Sequence, residues 1–194
     1  MALNFPDDAA FSSGSGKYFK LNKMKERKVG KEMVKMARGR VVEGFIHGYE
    51  GWTEDKKVFR KPTLAELLQT IEEAGKTLRV ENDRKNPKQF FAAWWANVEE
   101  NEVQLWCGTQ MSALLQIRDL TKNPEWGDGG DYDITITQGV DAKGFITYTV
   151  NPCKPSVLSD KLQEDWARLK AECVGLDALY HNGDPFAAWT EANK

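Results

Sequence analysis

Two β-hairpins separated by a helix constrain the fold of this chain more than any other feature of its sequence. The first hairpin is predicted over residues 94–107, with a polar turn at 99–102, and the second joins the alternating segments 132–137 and 145–150. Strict alternation of apolar and polar side chains is typical of strands that bury one face. Between the hairpins, apolar residues recur at helical spacing over 110–120. This order predicts a mainly β domain.

A glycine-interrupted segment comes before both hairpins. Residues 33–53 have the composition of one long strand, and their glycines predict bulges or sharp bends in it. Thr63 and Glu66 then form a capping box, which starts a predicted helix that ends at Gly75. This helix is an insertion between the long strand and the first hairpin.

The order long strand, hairpin, helix, hairpin is that of the five-stranded OB-fold barrel. We therefore predict a mainly β fold with peripheral helices. The barrel carries a helix between strands 3 and 4, an inserted helix after strand 1 and a C-terminal helix. Pro152 and Pro155 are predicted to end the sheet, and Ser159 is predicted to cap the C-terminal helix before Gly175.

Three segments follow from this assignment. Residues 1–30 are predicted to be a flexible basic N-terminal arm, 31–158 an OB-fold domain, and 159–194 a C-terminal helix with an acidic and aromatic tail. The last stretch, 176–194, has too few recurring apolar residues for a core of its own. It is either a docked short helix or a mobile tail.

The first hairpin places two tryptophans side by side. Pairing across its turn sets Trp95 opposite Trp106, with Asn97 and Gln104 on the same face. Flat rings on a solvent-facing sheet suit the stacking of unpaired nucleic-acid bases. The alternative is that a loop or helix covers the indoles. An OB barrel binds ligands on the outer face of strands 2 and 3, and this favours stacking.

Charge is distributed unevenly along the chain, although the net charge is only −2. Residues 17–40 carry ten basic side chains against Glu26 and Glu32, whereas acids concentrate at 128–133 and 160–191. This distribution favours a polyanion-binding surface and a separate acidic surface. The alternative is a solvated surface whose charge is merely uneven.

The sequence offers no catalytic centre. His47 and His181 are the only histidines, and neither lies near a nucleophile with supporting acids. The three cysteines are far apart and are predicted to be reduced thiols in the core. We therefore predict no enzyme activity, no metal and no cofactor. The chain also lacks an apolar run of signal-peptide or membrane-spanning type, which predicts a cytoplasmic protein.

Several short segments between residues 30 and 160 carry a family resemblance. They are Gly48–Trp52, Lys57–Arg60, Val103–Trp106 with Thr109 and Gln110, Glu125–Gly127, Tyr132–Ile134 and Thr147–Pro152. Together they resemble bacteriophage single-stranded DNA-binding proteins. The resemblance implies an OB fold that coats single strands during phage DNA replication, recombination or repair, in the cytoplasm of the infected host. It also implies that an acidic C-terminal region recruits replication or recombination proteins.

The chain departs from the family's usual tail. It ends Ala192-Asn193-Lys194 rather than in an acidic run with a terminal aromatic, and Asp184-Pro185-Phe186 is its nearest equivalent. If the tail is mobile, its acids would compete with DNA for the basic groove, and its aromatics would contact a partner or a neighbouring subunit along the DNA.

The predicted binding residues fall into two kinds. Aromatics would stack bases and cations would neutralise phosphates, which gives little sequence preference and a strong dependence on salt. The predicted set is Tyr49, Trp52, Lys56, Lys57, Phe59, Arg60, Arg79, Arg84, Lys88, Trp95, Gln104 and Trp106. Trp94 and Tyr148 are predicted to pack in the core instead. The alternative function is an OB-type protein-interaction or virion scaffold module without nucleic-acid binding.

Overall fold

A computed structural model gives the structure of this protein. It describes residues 18–81, 84–85, 87–123, 125–126 and 130–186. These ranges are mainly β, with a mixed sheet of many strands and a few helices. They fall into two compact units. The hairpin unit comprises 18–45 and 93–167, and the insertion unit comprises 46–92 and 168–186.

The elements are defined by their bounds. The strands are β1 (Tyr18–Phe19), β2 (Lys25–Val29), β3 (Glu32–Val41), β4 (Ile46–Trp52), β5 (Val58–Lys61), β6 (Val80–Glu81), β7 (Arg84–Lys85), β8 (Lys88–Asn97), β9 (Glu102–Gly108), β10 (Tyr132–Val140) and β11 (Ile146–Pro155). The helices are α1 (Leu64–Glu73), α2 (Met111–Thr121) and α3 (Asp160–Glu172), and 3-10 turns cover Leu21–Lys23 and Leu176–His181.

The hairpin unit is built on an open sheet. Its strand order is β1-β9-β8-β3-β10-β11, and β2 pairs with β3. The β1–β9 pair is parallel, whereas the β2–β3, β3–β8, β3–β10 and β10–β11 pairs are antiparallel. The described strands do not close into a barrel, because the two ends of this order do not pair. The predicted closed five-stranded barrel is therefore not confirmed.

The insertion unit pairs β4 with β5 and with residues 88–92 of β8. Its helix α1 begins as predicted, because the Thr63 hydroxyl accepts a hydrogen bond from the Glu66 amide at 3.2 Å. Leu67, Ile71 and Leu78 form its buried cluster. The prediction of an inserted, capped helix is confirmed.

Two boundary predictions are wrong. The long strand predicted over 33–53 is two strands, β3 and β4, separated by residues 42–45. The sheet does not end at Pro152, although β11 does end at Pro155, the second of the two prolines predicted to stop it. That strand is the last in the sheet order, so a proline without an N–H group leaves no ladder hydrogen bond unmade on its open edge.

Both ends of the described chain are attached to the fold. Residues 18–29, predicted as part of a flexible arm, form β1, a 3-10 turn and β2. At the other end, the Tyr180 hydroxyl donates to the His47 carbonyl at 2.6 Å, and Phe186 is buried. Of the two alternatives for the C-terminal segment, docking is therefore observed for 176–186, and residues 187–194 lie outside the described residues.

The C-terminal helix has the predicted ends. The Ser159 hydroxyl accepts from the Leu162 amide at 3.3 Å, and Gly175 follows the helix with a φ of +97°. Among the described residues, no helix is both long and apolar enough to cross a membrane.

Candidate nucleic-acid interface

The predicted tryptophan pair is present in the hairpin unit. The Trp95 and Trp106 ring centroids lie 5.4 Å apart in an edge-to-face arrangement. On the same face, the Asn97 side chain donates to the Gln104 side chain at 3.0 Å. The predicted sharing of one face by these four residues is confirmed.

The predicted exposure of that face is wrong. Trp95 and Trp106 are 0% and 1% exposed, and Gln104 is also buried. The covering group is Phe19 of β1, whose ring stacks on Trp95 with centroids 5.0 Å apart and an interplanar angle of 18°. Neither indole therefore has an open face for a base in this conformation.

Trp95 also lies against the backbone of the neighbouring strand β3. A Cβ atom added to Gly39 would lie 2.4 Å from Trp95 Cζ2 and 2.4 Å from the Ala96 carbonyl oxygen. Only glycine at this position lets the indole lie against the β3 backbone. Trp94 points to the opposite face and contacts Trp166 of α3 at 6.2 Å between centroids, so the prediction that Trp94 packs is confirmed.

Several predicted binding residues of the insertion unit serve its packing. Tyr49 and Phe59 are half-buried against the α1 cluster. Arg60 forms an ion pair with Glu50 at 3.1 Å, and its guanidinium lies 5.4 Å from the centre of the Phe90 ring. Since only 12% of the Arg60 side chain is exposed, phosphate binding by Arg60 would require this ion pair to open.

The remaining predicted residues of this unit are more accessible. Lys56, Lys57, Arg79 and Lys88 are exposed, and Trp52 is half-buried. Arg84 lies in β7. Their role in binding stays a prediction.

An ion pair holds the turn that carries Lys56 and Lys57. Asp55 receives hydrogen bonds from Lys76 at 2.8 Å and from the Thr53 hydroxyl at 2.5 Å. These two hydrogen bonds lower the pKa of Asp55 from 3.8 to about 2, and the bond from the Lys76 ammonium has the larger effect.

This pKa gives a prediction for acid titration. Because the folded-state pKa is lowered, the stabilising contribution of Asp55 is fully present above about pH 4 and is lost as the pH falls through about 2. Carbon-detected NMR titration should give a midpoint of about 2 for Asp55. Lys76→Met should move that midpoint upward, and Lys122→Met, on α2's C-terminal side, should leave it unchanged. An unshifted midpoint in the parent protein would contradict the assignment.

A second candidate surface spans four strands of the hairpin unit. Lys28 pairs with Met33, Gln138 with Tyr148, and Val140 with Ile146. In the β3–β10 pair, Ile136 lies opposite Ala37, so these two side chains are on the same face of the sheet. Because side chains alternate along each strand, the three pairs named above and Lys35 lie on that same face. We define the four-strand face as Lys28, Met33, Lys35, Val140, Ile146 and Tyr148.

This face combines exposed apolar and cationic side chains with one exposed acid, Glu26, which lies opposite Lys35. Met33, Val140 and Ile146 are 61%, 66% and 59% exposed, which is high for side chains of this kind. Lys28 is exposed, Lys35 is half-buried, and neither has an ion-pair partner among the described residues. The Tyr148 ring is half-buried, and this burial raises the pKa of its phenol.

The turns beside this face extend it. Val29 and Phe145 are 53% and 66% exposed at the ends of the β2–β3 and β10–β11 hairpins. The register Met36–Thr137 brings these hairpin ends to the same end of the sheet, because β3 and β10 are antiparallel. Lys31 and Lys143 in the same turns add positive charge.

A buried ion cluster fixes the two central strands of this sheet. Asp133 of β10 accepts from Arg40 of β3 at 2.9 Å and from Arg38 at 2.8 Å. Arg40 also donates to the Ser156 carbonyl at 2.7 Å and to the Gly130 carbonyl at 2.9 Å. Two arginines of the basic segment 17–40 are therefore structural, whereas Lys28 and Lys35 face outward.

The sequence alone does not reveal most of the four-strand face. It shows the basic run that contains Lys28 and Lys35, and its pattern predicts packing of Tyr148, although the ring is only half-buried. The alternation in β10 and β11 shows that Val140, Ile146 and Tyr148 share a face. It does not show which strand lies beside them, so the lysines could not be assigned to that face.

Comparisons of this chain with protein-family models, with curated proteins and with solved structures find no match. The described residues contain no cluster of three or more histidine, cysteine or acidic side chains arranged to hold a metal ion. The function is therefore argued from the geometry of the site.

Proposed function

We propose that this protein binds single-stranded DNA without strong sequence preference, and that the four-strand face is its main contact surface. The observation that carries the proposal is the presence of lysines and exposed apolar or aromatic side chains on one sheet face. Lys28 and Lys35 would neutralise phosphates, and Tyr148 with its apolar neighbours would cover the flat faces of bases. A protein scaffold would not need both kinds of side chain together.

The strand order supports an OB-type architecture that is open at one seam. If β3, β8, β9, β10 and β11 are named strands 1 to 5, their spatial order is 3-2-1-4-5, and α2 connects strands 3 and 4. An OB barrel with this order would close by pairing its two end strands. The fold we propose is the partly open form of such a barrel.

The proposed role is coating of single strands during phage DNA replication, recombination or repair in the host cytoplasm. A protein in that role holds strands apart by binding the single-stranded form more tightly than the duplex, so it needs no catalytic group or cofactor. Recruitment of other replication proteins through the C-terminal segment would depend on residues beyond Phe186, because Phe186 itself is buried.

Charge reversal on the four-strand face tests the proposal. We expect the wild-type chain to bind labelled oligothymidine in fluorescence anisotropy, and the double variant Lys28→Glu, Lys35→Glu to bind it more weakly. The slope of log K against log salt should fall by about two, since each lysine that neutralises a phosphate contributes about one to it.

The matched control is the double variant Lys122→Glu, Lys170→Glu. It changes the net charge by the same amount as Lys28→Glu, Lys35→Glu, but at residues after the end of α2 and within α3, which are not part of the four-strand face. This control should keep the affinity and salt slope of the parent. Equal losses in both double variants would show that binding follows net charge only. The absence of any oligothymidine binding by the wild type at low salt would favour the protein-interaction alternative, for which the exposed Met33, Val140 and Ile146 would be the contact residues.

A further inference from the structure

The segment that covers the tryptophan pair is short and weakly anchored along its backbone. It consists of β1, Lys20, the 3-10 turn Leu21–Lys23 and Met24, and we call residues 18–24 the strap. Its strand pairs with the edge of β9 at only two positions, Tyr18–Leu105 and Phe19–Trp106. The apolar side chains of Phe19, Leu21 and Met24 are buried.

Phe19 lies on Trp95 as a nucleobase would. The two rings are nearly parallel, with an interplanar angle of 18° and centroids 5.0 Å apart, and Trp106 meets Phe19 edge-on at 5.5 Å. Bases stack on indole rings in the same nearly parallel manner. The Trp95 ring also lies against the backbone at Gly39, and Phe19 is the side chain stacked in parallel on it.

The strap leaves one polar group of the covered site without a hydrogen-bond partner. Trp95 Nε1 is buried and has no hydrogen-bond partner among the described residues, whereas buried indole N–H groups usually have one. A cavity of about 80 Å³ also lies beside the strap, and its lining includes Asn97 and Gln104, three lysines (Lys20, Lys23 and Lys25) and two acids (Glu99 and Glu100). Because the Trp95 N–H group lies in the plane of the ring, displacement of the strap would let it donate at the ring edge to an acceptor of the incoming strand or to water.

We propose that the strap is a displaceable cover over a second base-stacking site, in which Phe19 occupies the position that a nucleobase takes on Trp95 when single-stranded DNA binds. This proposal rests on the proposed function. The four-strand face provides the initial contact, and β2 connects the strap directly to that face. Displacement of Phe19 then exposes Trp95 and Trp106, together with Asn97 and Gln104, to the incoming strand.

Hydrogen–deuterium exchange of the full chain tests the displacement. With saturating oligothymidine, we expect the amides of residues 18–24 to exchange faster than in the free protein, because the β1–β9 hydrogen bonds open. Amides of α2 should keep their exchange rates and serve as the internal control. Unchanged or slower exchange over 18–24 in the bound protein would overturn the proposal.

Removal of the covering ring gives a second, independent test. Phe19→Ala should bind oligothymidine about two- to tenfold more tightly, which is the factor that corresponds to loss of one competing aromatic contact. Leu179→Ala removes an equally buried side chain in the insertion unit and should not raise the affinity. Since the exchange measurement uses the unaltered chain, it decides the question even if Phe19→Ala does not fold.

The outcomes separate this proposal from the one on which it rests. If oligothymidine binds and binding depends on Lys28 and Lys35, while the strap keeps its protection and Phe19→Ala gains no affinity, then the strap proposal alone fails. If neither the parent nor Phe19→Ala binds oligothymidine, both proposals fail. Faster exchange over 18–24 together with tighter binding by Phe19→Ala supports both.

Discussion

Trp95→Ala is expected to lower the free energy of unfolding by about 3–5 kcal/mol, as truncations of fully buried tryptophans do. The indole is 0% exposed, Phe19 stacks on it, and the β3 backbone at Gly39 also lies against it. The β3 backbone at Gly39 is held by its pairing with β8 and β10 and cannot collapse into the space that the ring leaves. Urea denaturation followed by circular dichroism measures the change.

Trp52→Ala is the matched control for this substitution. Trp52 is half-buried in the insertion unit, so the same truncation there removes less buried surface and should cost clearly less. If Trp95→Ala lost less than about 1 kcal/mol, a loss far below the range for buried tryptophans, the indole would not be the packed core residue described here. A solvent-facing Trp95, as the sequence predicted, would give that smaller loss.

Asp133→Asn is expected to destabilise the protein by about 3–5 kcal/mol, because it leaves the charge of Arg40 buried without its counterion. The side chains of Arg40 and Asp133 are 6% and 3% exposed, and two nitrogens of Arg40 donate to the same carboxylate oxygen. Asparagine keeps the shape of the side chain and removes only the charge. The same denaturation experiment measures the effect.

An exposed ion pair provides the control for Asp133. Arg118 and Asp119 contact each other at 3.0 Å with side chains 52% and 64% exposed, so Asp119→Asn should change stability by less than about 1 kcal/mol. Replacing both Arg40 and Asp133 with apolar residues of similar size should recover much of the loss, since no buried charge then remains unpaired. Arg38, which also pairs with Asp133, is 42% exposed and keeps its hydration. Equal effects of Asp133→Asn and Asp119→Asn would contradict the buried pairing.

The burial of Trp95 changes where the proposed binding of DNA would take place. The sequence supports stacking on the tryptophan pair, and the structure covers that pair with Phe19. Two surfaces then remain for a single strand, the exposed four-strand face and the covered tryptophan site. Binding at the four-strand face requires no rearrangement, whereas binding at the tryptophan site requires the strap to move. Hydrogen–deuterium exchange over residues 18–24 therefore distinguishes binding at the two surfaces.

The sequence by itself determined the local structure of this protein. The period of the apolar residues identified the two hairpins and the helices, and Thr63, Ser159, Gly75 and Gly175 marked helix ends that the structure contains. It also placed Trp95, Asn97, Gln104 and Trp106 on one face. These properties depend on side chains a few residues apart along the chain, and alternation or helical spacing expresses them directly.

Only the tertiary structure decided which faces are covered. Phe19 is more than seventy positions from Trp95 in the sequence, and Arg40 is 93 positions from Asp133. Alternation shows that a strand has two faces but not which one meets a partner, because that depends on which distant segments pair with it. For the same reason, the four-strand face could not be predicted from the sequence. It exists only because β2 and β10 pair with β3.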